Sequence, residues 1–149
     1  MRGSIRLRDA RGTTVAEMAI VLPLVLVLVM GVFDFSRLFY TRLTLQHAVR
    51  EAVRFAVTGN ASVDPQTGDP LTRIESIRRK IVENAVNLDV DVDAIVVTPA
   101  DGGGPGDVVT VATTFSYEMA TPVLHPFFPG GRYDFGVSSA MKNEPFYTD

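Results

Sequence analysis

The sequence predicts an α+β chain: a long N-terminal helix, apolar in its first half and amphipathic in its second, then one shorter helix and a small antiparallel β-sheet. Three observations carry this reading. Residues 18–33 read MAIVLPLVLVLVMGVF, without a charge. Apolar residues then recur at helical spacing to Val57, and again from Ile74 to Leu88. Beyond Leu88 the period falls to two, in three runs separated by stretches rich in glycine and proline. A chain of 149 residues with no cysteine allows one small domain with an appendage, and excludes disulfide scaffolds and thiolate metal sites. Residues 1–12 carry four arginines against Asp9, so a basic leader precedes a body that is acidic on balance. An acidic body does not fit nucleic-acid binding, which needs clustered cations on the folded part.

The first element is a membrane span, expected over residues 13–35. Extending the uncharged run back to Thr13 gives twenty-one residues with Glu17 as the sole charge, and roughly 20 helical residues cross a hydrocarbon core of about 30 Å. A cleaved secretory signal would need small residues just after the apolar run. The exit here reads GVFDFSRLFY, with Asp34 and bulky aromatics in their place. A buried helix of a soluble domain is the other alternative. Pro23 removes a backbone donor inside the span and is expected to bend it, which membrane helices tolerate. Glu17 near the N-terminal edge either snorkels to the headgroups or is neutralised by a partner's cation, since a carboxylate at the bilayer centre costs about 2.5 to 3.5 kcal/mol. Arginines flank the span on both sides. Arg37, Arg42, Arg50 and Arg54 lie on an amphipathic helix beside Asp34 and Glu51, whereas the leader with Arg2, Arg6, Arg8 and Arg11 is short and almost purely basic. This context favours a cytoplasmic N-terminus with the body outside.

Residues 38–57 continue the helix, with Leu45, Val49, Ala52 and Ala56 on one stripe and His47, Arg50, Glu51 and Arg54 on the opposite face. Gly59 and Asn60 supply its stop. A helix from Thr14 to Val57 would be about 66 Å long. Residues 59–71 form a turn-rich loop. The second helix opens on a Thr72–Glu75 capping box and runs to about Leu88 on Ile74, Ile77, Ile81, Ala85 and Leu88. Its Arg78, Arg79 and Lys80 cluster reads as a solvated face, with anionic lipid or a partner as the alternative. Strands are expected over 90–98, 108–118 and 133–142, with Val109, Val111, Thr113, Phe115 and Tyr117 alternating onto one face. Residues 100–107 make a hairpin loop. The proline-rich segment between the last two strands cannot be a central strand, and its Phe127 and Phe128 are expected to fold back over the sheet rather than meet a membrane or partner.

Residues 11–17, RGTTVAE, place a glycine after basic residues and a glutamate five positions beyond it, directly ahead of the apolar run. This resembles a type IV prepilin signal, and the longer stretch from residue 11 to 57 resembles the TadE-like family of pseudopilins. The ending SSAMKNE, residues 138–144, is similar to that family's final strand. The resemblance implies a prepilin peptidase that cuts after Gly12 and frees Thr13 as the new N-terminus. It makes Glu17 the fifth mature residue and assigns Thr13, Glu17 and Pro23 to subunit assembly. It implies a type IV pilin-like fold as well.

Enzymatic function is not expected. His47 and His125 are the two histidines, and neither G-x-S-x-G nor H-E-x-x-H is present. Asp89, Asp91 and Asp93 resemble the start of a calcium loop, but Ala94 and Ala100 stand where the loop needs glycine and glutamate. A strand with one solvated face is the expected account, and no metal or cofactor is assigned. The expected organisation is a basic cytoplasmic leader at 1–12, a transmembrane helix at 13–35 and an extracytoplasmic α+β domain at 36–149. The resemblance implies a structural subunit, a minor pilin or pseudopilin of a Tad-type pilus or related secretion machine in the inner membrane. Its partners would be the lipid bilayer, a prepilin peptidase, other pilins and the assembly platform. The alternative is an unprocessed single-pass protein that binds a partner through its outer domain.

Overall fold

The computed structural model describes residues 9–145. Arg2, Arg6 and Arg8 of the basic leader lie outside the described residues. Helix α1 spans Asp9–Val57, 49 residues, and runs through Pro23 as one element. It starts ahead of the expected Thr14, because Ala10 and Arg11 are good helix formers and one glycine costs only about 1 kcal/mol. Gly59 ends it as anticipated, at φ +70°, with its N–H donating to the Ala56 carbonyl at 3.1 Å.

Helix α2 spans Arg73–Asn84. Its start is the expected capping box: Thr72 Oγ1 accepts from the Glu75 N–H at 3.3 Å, and Glu75 Oε2 accepts from the Thr72 N–H at 2.9 Å. Its end corrects the sequence reading by one turn. Ala85 leaves the helical region while still donating to the Ile81 carbonyl at 2.8 Å, and Asn87 takes a left-handed φ of 60°. Asparagine tolerates that conformation better than most residues. Leu88 therefore reaches the core from a turn, not from the helix.

Three antiparallel strands follow, β1 (Ile95–Thr98), β2 (Val108–Glu118) and β3 (Arg132–Lys142), in the order β1-β2-β3. Ile95 lies opposite Thr113 and Thr98 opposite Thr110, while Val108 meets Lys142 and Glu118 meets Arg132. The first strand is shorter than the expected 90–98. Asp91 Oδ1 accepts from the Asp93 N–H at 3.0 Å and starts a 3-10 turn at Val92–Ala94. Asp89, Asp91 and Asp93 thus lie on and before an exposed turn instead of a solvated strand face, because a short carboxylate competes well for nearby backbone N–H groups.

The helices lie on one face of the sheet. Leu45, Ala48, Val49, Ala52, Val53 and Ala56 of α1 are buried together with Ile77 and Ile81 of α2 and with Ile95, Val109, Val111, Phe135 and Val137 of the sheet. Alanines at 48, 52 and 56 recur every four residues and so fall on one helix face, where small side chains let neighbouring elements approach closely. The expected stripe is fully used, and the expected alternation on β2 holds, with Val109, Val111, Thr113 and Tyr117 buried and Phe115 partly so. The arrangement is α+β, as the sequence predicted.

Candidate functional site

Two regions of α1 behave differently. Its distal part, from about residue 45 to 57, is core. Its proximal part is bare: the most apolar stretch is long and apolar enough to cross a membrane, and none of it is buried by the rest of the chain. Leu22, Leu24, Leu26, Leu28 and Phe33 are all exposed. Apolar surface on this scale in water would be strongly unfavourable, at about 25 cal/mol per Å², so the surroundings of this segment are lipid or other protein.

The residues singled out by the prepilin-like motif all lie on this bare segment. Gly12, Thr13 and Glu17 are exposed. A Cβ placed on Gly12 would meet nothing within 4 Å, so no packing among the described residues calls for glycine there. The Gly12–Thr13 peptide bond lies inside α1. Thr13 and Glu17 are one turn apart on the same face. Pro23 sits within the helix, where it can give no hydrogen bond to the Ala19 carbonyl.

The body is held to α1 by two polar clamps, neither of which was assigned from sequence. At the proximal end, Asp34 is 1% exposed, and its two carboxylate oxygens accept from the backbone N–H groups of Ala120 and Thr121, each at 2.9 Å. Ala120 and Thr121 follow β2, so the clamp fixes the start of the β2–β3 connection against α1. At the distal end, Asn143 is buried just beyond β3. Its amide donates to the carbonyls of Gly102 (3.1 Å) and Gly104 (2.9 Å), and the Arg73 guanidinium donates to its oxygen at 3.3 Å and to the Ala56 carbonyl at 2.8 Å. Burial shifts the Arg73 pKa downward and Asp101 opposes the shift. The Glu144 N–H then reaches the Val57 carbonyl at 3.0 Å. Between residues 34 and 57 the body is thus tied to about 35 Å of helix. Asp34 had one local signal, a lone carboxylate closing an apolar run, and Asn143 falls in the family-like SSAMKNE ending.

The proline-rich connection splits the Phe127 and Phe128 pair. Phe128 folds back as expected, with its ring edge-on to Tyr133 at 6.1 Å between centroids, and Tyr133 stacks on Phe135 at 6.2 Å. Phe127 instead points outward and is 77% exposed. Gly131, at φ +70°, passes so close to the His125 ring that a Cβ would come within 3.0 Å of it. His125 in turn contacts the Met119 carbonyl at 3.0 Å. Phe35, Leu38, Phe39 and Arg42 of α1, with Phe128 and Tyr133, line an apolar groove of about 260 Å³ at this junction.

Two of the three cations of the basic cluster on α2 find ion-pair partners within the chain, while the Nε of Arg78 is buried without a hydrogen bond among the described residues. Arg79 pairs with Glu83 at 2.9 Å and Asp64 at 3.6 Å, and Lys80 pairs with Glu83 at 2.8 Å beneath the Phe55 ring. Among the described residues no three His, Asp or Glu side chains converge as a metal site.

No curated protein and no solved structure matches the chain. The family model described as TadE-like protein matches residues 12–54, which covers the bare apolar segment and most of the core-forming half of α1. That family is structural and pilus-associated, and one apolar N-terminal helix fits a single-pass membrane protein of such a system. The resemblance read from the motif is therefore shown over this segment, and residues 12–54 of the chain are similar to that family.

Proposed function

We propose that the chain is a minor pilin or pseudopilin, a structural subunit anchored by residues 13–35 in the cytoplasmic membrane, with the leader in the cytoplasm and the body on the other side. The observation that carries this reading is that Gly12, Thr13 and Glu17 form a prepilin-like motif on an exposed helix surface, directly ahead of an apolar window that the described residues leave unburied. A glycine that no contact among the described residues requires suits a peptidase needing close backbone approach. Gly12 also weakens the helix locally by about 1 kcal/mol relative to alanine, which eases unwinding around the bond to be cut. Once freed, the Thr13 ammonium of one subunit pairs with Glu17 of a neighbour and offsets the cost of a carboxylate in lipid. The mechanism is mechanical: the apolar helix stores the subunit in the bilayer and is covered by other subunits on assembly.

A second reading, a resident single-pass subunit that is never processed, draws support from the position of the Gly12–Thr13 bond within α1. Mass spectrometry of the mature N-terminus in cells with an active prepilin peptidase separates the two. Thr13 as first residue supports the pilin, and an intact N-terminus supports the resident subunit. Glu17→Gln tests assembly itself. A plain anchor inserts the variant as well as the parent or better, whereas an assembling subunit loses a pair worth on the order of 3 kcal/mol by analogy with buried pairs. Reduced pilus yield or reduced crosslinking to other pilins, at matched membrane level, is the expected result. Unchanged assembly would leave Glu17 no role beyond its place at the headgroups. A reporter fused after Asp149 that is active in the cytoplasm would overturn the orientation.

A further inference from the structure

We propose that the β2–β3 connection is a second membrane contact: Phe127, with Val123 of the same 3-10 segment, inserts into the lipid leaflet on the body's side and seats the body on the bilayer. The argument begins with height. Residues 13–33 make about 31 Å of helix, the thickness of one hydrocarbon core, so Asp34 stands at its boundary. Asp34 binds the Ala120 and Thr121 N–H groups, which brings the start of the connection to that same level. Seven residues after Thr121, Phe128 lines one groove with Phe35, Leu38, Phe39 and Arg42 of α1, so the connection also ends against the first turns of helix beyond Asp34. The segment between them, Pro122–Phe127, is therefore held at the membrane boundary at both ends.

The chemistry at this level suits that position. Phe35, Phe39 and Tyr40 of α1 are exposed where the helix leaves the span, together with Val123 and Phe127 of the connection. Aromatic residues at the headgroup level are the usual anchors of membrane proteins, and an apolar edge buried about 5–10 Å into the boundary is the usual depth of an interfacial segment. Pro122 and Pro126 stiffen the segment, which limits the conformational entropy lost on insertion. The surface is also continuous with the span, since its groove begins at Phe35, two positions beyond the uncharged run. The inference rests on the span assigned to residues 13–35 and is independent of any role in a pilus.

The chain contains no tryptophan, so single-tryptophan variants report depth directly. The full chain is reconstituted in phosphatidylcholine vesicles carrying 20% phosphatidylglycerol (about one charged headgroup in five, to mimic an anionic surface), with phosphatidylcholines brominated either near the top or near the end of the acyl chains. Three variants are compared: Leu24→Trp in the span, Phe127→Trp in the connection, and Val108→Trp, exposed at the distal end of β2. Phe127 is largely exposed, so the exchange leaves the fold undisturbed. The expected result is quenching of Leu24→Trp by the deep bromines, blue-shifted emission of Phe127→Trp with stronger quenching by the shallow bromines, and no quenching of Val108→Trp. If Leu24→Trp is quenched while Phe127→Trp emits as in water, the contact is overturned and the patch is left for a protein partner. If Leu24→Trp itself is unquenched, the span fails, and the contact with it.

Discussion

Replacing Asp34 with alanine removes both acceptors that hold the β2–β3 connection to α1, and the structure sets the size of the effect. Each hydrogen bond from a backbone N–H to a carboxylate contributes about 1.5–3 kcal/mol, and an orphaned buried donor costs a similar amount. Ala120 is exposed, so water replaces its partner, whereas Thr121 is buried and its N–H is left unpaired. The loss is therefore about 3 kcal/mol, near the lower end for two such bonds. It falls on the local opening of the connection, because the β2–β3 register and the core around Ile77, Ile81 and Val111 lie elsewhere. At 1.4 kcal/mol per tenfold, amide hydrogen exchange at residues 119–125 should accelerate about a hundredfold, while α2 and the middle of β2 keep their protection. Asp34→Asn retains one acceptor but turns an amide donor toward the second N–H, so an intermediate acceleration is expected. The assay is hydrogen-exchange mass spectrometry on the full chain in detergent micelles. Unchanged exchange at residues 119–125 in Asp34→Ala would show that the carboxylate does not hold the connection, and would remove the geometric basis for placing Phe127 at the bilayer.

Two further predictions concern the body. The Glu75 carboxyl lies below the usual glutamate range, first because the Thr72 side chain and then because its backbone N–H bond the ionised form. A depressed carboxylate stabilises the fold fully above the unfolded value of about 4.3 and loses that contribution as pH falls through the lower folded value. The difference in thermal midpoint between the parent chain and Glu75→Ala should accordingly be constant near neutrality and narrow below about pH 4; a gap independent of pH would count against the capping box. Tyr117 is buried, its hydroxyl makes no hydrogen bond among the described residues, and burial raises its pKa. Tyr117→Phe removes an unsatisfied polar atom at almost constant volume, so stability in denaturant should stay level or rise by about 1 kcal/mol. A clear loss would reveal a partner for the hydroxyl.

What the sequence determined by itself was whatever depends on near neighbours along the chain. The apolar run, the stripe of Leu45, Val49, Ala52 and Ala56, the Thr72–Glu75 box and the alternation on β2 were all legible, because helical and strand periods repeat over a few residues. The pattern of Gly12, Thr13 and Glu17 is readable for the same reason, as a linear motif, and the processing and assembly roles proposed for it rest on that motif. Tertiary structure decided the rest. Asp34 finds its partners 86 and 87 positions away, and Arg73 meets Asn143 seventy positions on; no local period encodes such pairings. The separation of Phe127 from Phe128 was also hidden, since adjacent residues in an irregular segment are sorted inside and outside by what lies against them, here Tyr133 and the α1 face lined by Leu38. The end of α2 and the shortened β1 escaped because one asparagine at positive φ and one aspartate bonding its own backbone outweighed the periodic pattern. Burial and backbone satisfaction are properties of the assembled chain, so only the fold could decide which carboxylate, which amide and which phenylalanine would face inward.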